Sequence, residues 1–178
     1  GRKAVNAQSL IAIDPGTEKS GVVLLDFRFG QPIWSPGILD NKALLAELRR
    51  GTFASALFAI EQIRSYGMAI GATTLDTVEW SGRFIEAWQR QTGCGDDSVL
   101  RIPRIQVKSR LCHSGRAKDS NVRQALIDRF GEPGTKYKPG VLYGISSHLW
   151  SALAVGVVAK DMLAEKESAG KEAGHGTA

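Results

Sequence analysis

Two apolar runs that each end on a carboxylate constrain this chain most. Leu10-Ile11-Ala12-Ile13 leads into Asp14-Pro15-Gly16, and Phe58-Ala59-Ile60 leads into Glu61-Gln62. Both runs read as buried strands. A charged carboxylate is expensive to bury unless pairing or a metal compensates it. Two such acids brought together repel each other. A divalent cation between them removes the repulsion and supplies phosphoryl-transfer chemistry. The plainer alternative is a pair of strand-end acids that cap turns.

The 178 residues suffice for one domain with a real core, and 43% hydrophobic and 23% charged residues are ordinary for a globular protein. Cys94 and Cys112 have no metal-ligand spacing, which predicts a reducing, cytoplasmic setting without a disulfide framework. No apolar run approaches the roughly 20 residues of a membrane helix, and no secretory leader pattern opens the chain. The chain starts at Gly1 without a methionine, so missing upstream residues or a cleavage scar are expected there. The net charge of +5 is unevenly spread. Residues 100–138 hold ten Lys and Arg against Asp119, Asp128 and Glu132, a local +7 that leaves the remainder at −2. Concentrated positive charge beside an acidic site suits a nucleic-acid enzyme, because Lys and Arg neutralise phosphates and release counterions. A solvated basic face without a partner is the alternative.

Residues 8–14 and Ser20–Phe27 read as two strands joined by a turn at Asp14-Pro15-Gly16-Thr17, and 31–38 as a weaker third. Asp40 reads as the N-cap of a short helix with Leu44, Leu45 and Leu48 on one face. A strand over 55–60 follows. An amphipathic helix over 73–91, with Val78, Phe84, Ile85 and Trp88 as its apolar members, ends at Gly93. Val99–Ile102 reads as a strand stopped by Pro103, and Asp119 or Ser120 starts a helix through Phe130. Residues 131–147 read as a loop, and a last helix runs from about Ser147 to Glu165. The predicted fold is a single α/β domain over residues 1–165, a mixed sheet flanked by helices. Residues 166–178, rich in Gly, Ala, Ser and charge, are expected to form a disordered tail.

Four stretches, in this order and spacing, resemble the RuvC-type Holliday junction resolvases of the RNase H-like fold. They are Ile11-Ala12-Ile13-Asp14-Pro15-Gly16-Thr17-Glu18-Lys19-Ser20-Gly21, Ile60-Glu61-Gln62, Ile105-Gln106-Val107-Lys108 with Ser114-Gly115-Arg116-Ala117-Lys118, and His148-Leu149-Trp150-Ser151-Ala152-Leu153-Ala154. Divergence elsewhere favours a phage or similarly distant member. The resemblance implies a homodimeric, Mg²⁺-dependent endonuclease that binds four-way DNA junctions and nicks two strands symmetrically. It makes Asp14, Glu61 and His148 metal ligands. His148 stands where the family has an acid or, in some members, a histidine, and Ser151 stands where the family has an aspartate.

His148 and Ser151 lie three apart on a predicted helix and so share a face. Imidazole suits Mn²⁺ better than Mg²⁺, so Mn²⁺ is expected to support activity at least as well. Ser151 either contributes its hydroxyl, directly or through water, or is an inactivating replacement. Lys108 matches a family lysine beside the scissile phosphate and would stabilise charge there. Lys118 lies one residue from a second family lysine. Arg116, Arg123, Lys136 and Lys138 are phosphate-clamp candidates. Arg64 or Tyr66 matches the family residue that enters the junction centre, where either side chain can stack on a base. The segment Gly71–Trp88 resembles the dimer helix, although its apolar residues suit an intramolecular core equally. The expected activity is junction resolution. The alternatives are a broader flap and fork nuclease, and a junction-binding protein impaired by Ser151. A kinase or ATPase of the actin-like group would need a longer chain and a glycine-rich phosphate loop, which the sequence lacks.

Overall fold

The computed structural model of the protein describes residues 8–27 and 32–174. Five strands form one sheet: β1 (Ser9–Asp14), β2 (Lys19–Asp26), β3 (Pro32–Asp40), β4 (Leu57–Gln62) and β5 (Val99–Pro103), in the order β3-β2-β1-β4-β5. β1 to β3 form the antiparallel meander expected from the short turns, whereas β4 and β5 join in parallel. The central β1 has Leu10, Ile11, Ala12 and Ile13 all inaccessible to solvent, which explains its unbroken apolar run.

Helices cover both faces. α1 (Asn41–Arg50) and α2 (Ala72–Thr92) pack one face through Leu44, Leu45, Leu48, Phe84 and Trp88 against Ile11, Ile13, Phe58 and Ile60. α3 (Arg104–Cys112), α4 (Asp119–Phe130) and α5 (His148–Gly174) pack the other through Val107, Val122, Leu126 and the buried stretch from Ala152 to Ala159. The sheet residues under α5 include the small Ala12 and Ala59. A Cβ on Gly156 of α5 would lie 2.7 Å from Leu25 Cδ1 and 3.0 Å from Ala12 Cβ, so the helix rests almost directly on the strands.

Several elements differ from the sequence expectation. Asp40 occupies the N-cap position of α1 but its side chain caps nothing. The entry to α1 is held by the Asn41 backbone N–H, which donates to the Glu18 carbonyl at 2.8 Å. Val78 is exposed, as are Leu75, Met68 and Ile70, so the apolar contribution of α2 to the core starts at Trp80 and continues through Phe84, Ala87 and Trp88. α3 was not foreseen: Pro103 closes β5 and immediately precedes the helix, a position where proline's missing N–H does no harm. α5 continues through Gly174, nine residues past the expected end, so 166–174 are helical rather than structureless. The Ala, Glu and Lys residues of that stretch are good helix formers, which outweighs its glycines. Residues 1–7 and 175–178 lie outside the described residues.

Candidate active site

Ile13 pairs with Ile60 across the parallel β1–β4 ladder. Asp14 and Glu61 each follow by one residue, at the same end of adjacent central strands. Side chains alternate along a strand. Because Ala12 and Ala59 face α5, Asp14 and Glu61 do too. The strand register therefore brings the two predicted acids together on one face, both largely buried, with 12% and 16% of their side chains exposed.

The first residue of α5, His148, reaches Asp14 with Nδ1 3.1 Å from Oδ2. This approach depends on Gly21, which pairs with Asp14 in β2. A Cβ there would lie 2.6 Å from the His148 carbonyl oxygen, so only glycine lets the helix start so close to the strand. The turn after Asp14 is also fixed from below. Buried Ser20 donates to Asn41 Oδ1 at 2.6 Å, Asn41 Nδ2 donates to the Gly16 carbonyl at 2.9 Å, and the Gly16 N–H donates to Ser20 Oγ at 3.3 Å.

A second layer comes from α3 and α4. Arg104, the residue after β5, places Nη1 3.6 Å from Glu61 Oε2 and Nη2 2.6 Å from Asp119 Oδ1. Lys108, one turn further on α3, has Nζ 3.5 Å from the same Asp119 oxygen. Glu61 Oε2 and Arg104 Nη1 are both buried without a hydrogen-bond partner.

This environment shifts the acids in opposite directions. Burial, then repulsion by Asp14, pushes the Glu61 carboxyl up from 4.5 to about 7, against the pull of Arg104 and Lys108. Burial also raises Asp14, with the His148 hydrogen bond and the Arg104 charge opposing it. Asp119 moves down because its hydrogen bond to Arg104 favours the anion.

The predicted residues thus separate into those at this centre and those elsewhere. Asp14, Glu61, His148 and Lys108 share it. Ser151 follows His148 by one helical turn and makes no hydrogen bond to either acid. Among the described residues no group of three or more His, Cys, Asp and Glu side chains is gathered as a metal cage. The expected ligands are neighbours in pairs, Asp14 with His148 and Asp14 with Glu61. The donor set nonetheless fits a divalent cation, since two mutually repelling buried carboxylates leave one oxygen without a partner.

Arg64 is exposed and its Nε donates to Gln62 Oε1 at 3.0 Å. Tyr66 is exposed and holds a left-handed backbone with φ 48°. Arg116 lines a separate open cleft with Cys112, Ser114, Asn121 and Gln124, and Lys118 immediately precedes α4. Arg123 lies over the Trp150 ring at 4.7 Å and so is engaged by packing. Lys136 and Lys138 flank Tyr137 at the tip of a small hairpin closed by the Gly134–Pro139 bridge. A cleft of about 640 Å³ lined by Pro15, Thr17, Lys19, Thr73, Thr77 and His148 opens beside the centre. Arg104 and Asp119 are the two site residues that sequence reasoning passed over. The one available signal for Arg104 is that it follows Pro103, the residue expected to stop the Val99–Ile102 strand.

Searches against protein-family models and curated proteins find no match. Solved structures do match. Thermus thermophilus RuvC is 18% identical over 84% of this chain and 92% of its own, with a TM-score of 0.61. T. thermophilus RuvC in complex with a Holliday junction substrate aligns over 85% of this chain and 92% of its own, also at 18% identity, with a TM-score of 0.60. A mixed five-stranded sheet, central acid-bearing strands and a long closing helix give this chain the RuvC, RNase H-like fold.

Proposed function

We propose that the chain is a RuvC-type, structure-specific DNA endonuclease that resolves four-way junctions by paired symmetric nicks. The observation that carries this reading is the buried Asp14–Glu61 carboxylate pair beneath Arg104 and Lys108, on a fold shared with a RuvC solved with a Holliday junction. Asp14 and Glu61 would hold Mg²⁺ or Mn²⁺, with His148 either joining them or orienting Asp14. A bound cation supplies the charge that acidifies an attacking water and offsets the charge on the leaving oxygen. The rest of the chemistry belongs to the protein. The Asp14 and Glu61 oxygens fix where positive charge sits. Lys108 and Arg104 present N–H donors to the phosphodiester at the mouth of the site. Strand separation at the junction centre falls to Arg64 or Tyr66.

A homodimer fits the exposed apolar residues Met68, Ile70, Leu75 and Val78, which cluster in sequence at the start of α2 and just before it. A second reading rests on Ser151. Without a carboxylate there, the chain binds junctions but does not cut them. The deciding experiment is cleavage of a labelled four-way junction beside flap, fork and duplex, in Mg²⁺ and Mn²⁺, for this chain and for Ser151→Asp. Symmetric nicks by the unaltered chain establish the nuclease, and the substrate panel sets its breadth. Binding without cutting, rescued by Ser151→Asp, identifies an impaired resolvase. Binding without rescue identifies a junction-binding protein.

A further inference from the structure

Asp119 is the one acid of the centre that is not buried, with 74% of its side chain exposed. It sits on the first turn of α4, at the mouth of the site. One of its oxygens lies 2.6 Å from Arg104 Nη2 and 3.5 Å from Lys108 Nζ. Both cations act on Glu61, and Arg104 acts on Asp14 as well. A carboxylate that engages a guanidinium and an ammonium through one oxygen does what a phosphodiester oxygen would do with the same donors.

We propose that Arg104 and Lys108 form a binding site for a backbone phosphate of the cleaved DNA strand, and that Asp119 occupies it until DNA displaces it. Asp119 is thus a tethered competitor that sets the affinity of the centre for DNA. The inference rests on the nuclease reading above.

Charge balance supports the exchange. Asp14, Glu61 and Asp119 face Arg104 and Lys108, three acids against two bases. A divalent cation on the buried acids leaves the centre positive, which favours replacing Asp119 by a phosphate. Geometry supports it too. Arg104 is held from inside by a loose 3.6 Å approach to Glu61, not by a hydrogen bond. Its strong partner is the exposed one, so exchanging that partner leaves the buried half of the centre undisturbed.

The test is equilibrium binding of a fluorescent four-way junction in EDTA, across a range of salt, for the unaltered chain, Asp119→Asn and Asp128→Asn. Asp128 lies on the same helix, is exposed and, among the described residues, bonds Gln124 alone, so it controls for net charge. Asp119→Asn is expected to bind about tenfold tighter and to steepen the log K against log salt slope by about 0.9, one added phosphate contact. Adding Arg104→Ala to Asp119→Asn is expected to abolish the gain. Equal affinity and slope for Asp119→Asn and the unaltered chain overturn the inference while leaving the nuclease reading intact. An equal gain from Asp128→Asn also overturns it. Failure of every variant to bind the junction overturns the nuclease reading, and this one with it. Weaker binding by Asp119→Asn makes Asp119 a structural ion-pair partner and overturns the competitor role.

Discussion

Asp14 and Glu61 each extend one residue beyond the paired Ile13 and Ile60, so their carboxylates share the end of the two central parallel strands. Their mutual repulsion adds to the cost of burial and pushes Glu61 up to about 7. Between pH 4.5 and 7 the folded protein therefore keeps a proton that the unfolded chain has released. Linkage makes stability fall as pH rises through this window and level off above it. The loss is at most about 3 kcal/mol for a shift of this size. Thermal unfolding from pH 4.5 to 8 in EDTA should show the decline, and Mn²⁺ should restore stability increasingly toward pH 8. A flat profile in EDTA would mean that Glu61 is ionised throughout.

His148 bonds Asp14 through Nδ1. Removing a side chain that orients a metal ligand typically lowers metal affinity or activity about 10–100-fold. His148→Ala should do so in a Mn²⁺ titration followed by electron paramagnetic resonance. Cleavage by the unaltered chain should be at least as fast in Mn²⁺ as in Mg²⁺, and His148→Asp should move the preference to Mg²⁺.

Gly21→Ala places a methyl group against the His148 carbonyl, and the start of α5 has to move outward. Overpacking of this kind costs about 1–3 kcal/mol. The same displacement pulls His148 from Asp14. Urea unfolding and metal titration of this variant should therefore fail together. A stability loss with unchanged metal affinity would show that His148 does not support the site.

Asn41→Ala leaves Ser20 Oγ and the Gly16 carbonyl without their partners. The expected loss is about 1–3 kcal/mol, read by denaturant unfolding. The cause is local: the turn after Asp14 loses the side chain that ties it to α1.

Most of the fold was legible because its signals are local. The apolar run of β1, the Leu44–Leu45–Leu48 face of α1 and Gly93 after α2 each announce their element. α3 was not legible because Val107 is its one buried residue, so it has almost no apolar stripe. The far end of α5 was misread because glycine and serine there resemble a tail. In the site, the apolar runs that end on them mark Asp14 and Glu61, and the resemblance to RuvC-type resolvases alone marks His148 and Lys108, as residues that could be found in sequence. Arg104 and Asp119 could not. Their meeting depends on how α3 and α4 pack, 15 residues apart in the chain, and each alone reads as ordinary surface charge.

The strand order has a consequence for how the centre moves. β1 and β4 lie inside the sheet, each flanked by strands on both sides, whereas β5 is an edge and feeds α3 directly. Backbone amides around Asp14 and Glu61 should exchange with solvent only on global unfolding, and those of α3 and α4 through smaller, faster openings. The two acids thus sit on the most protected strands of the sheet, whereas Arg104, Lys108 and Asp119 sit on helices at its edge, so the two layers of the centre should differ in exchange rate.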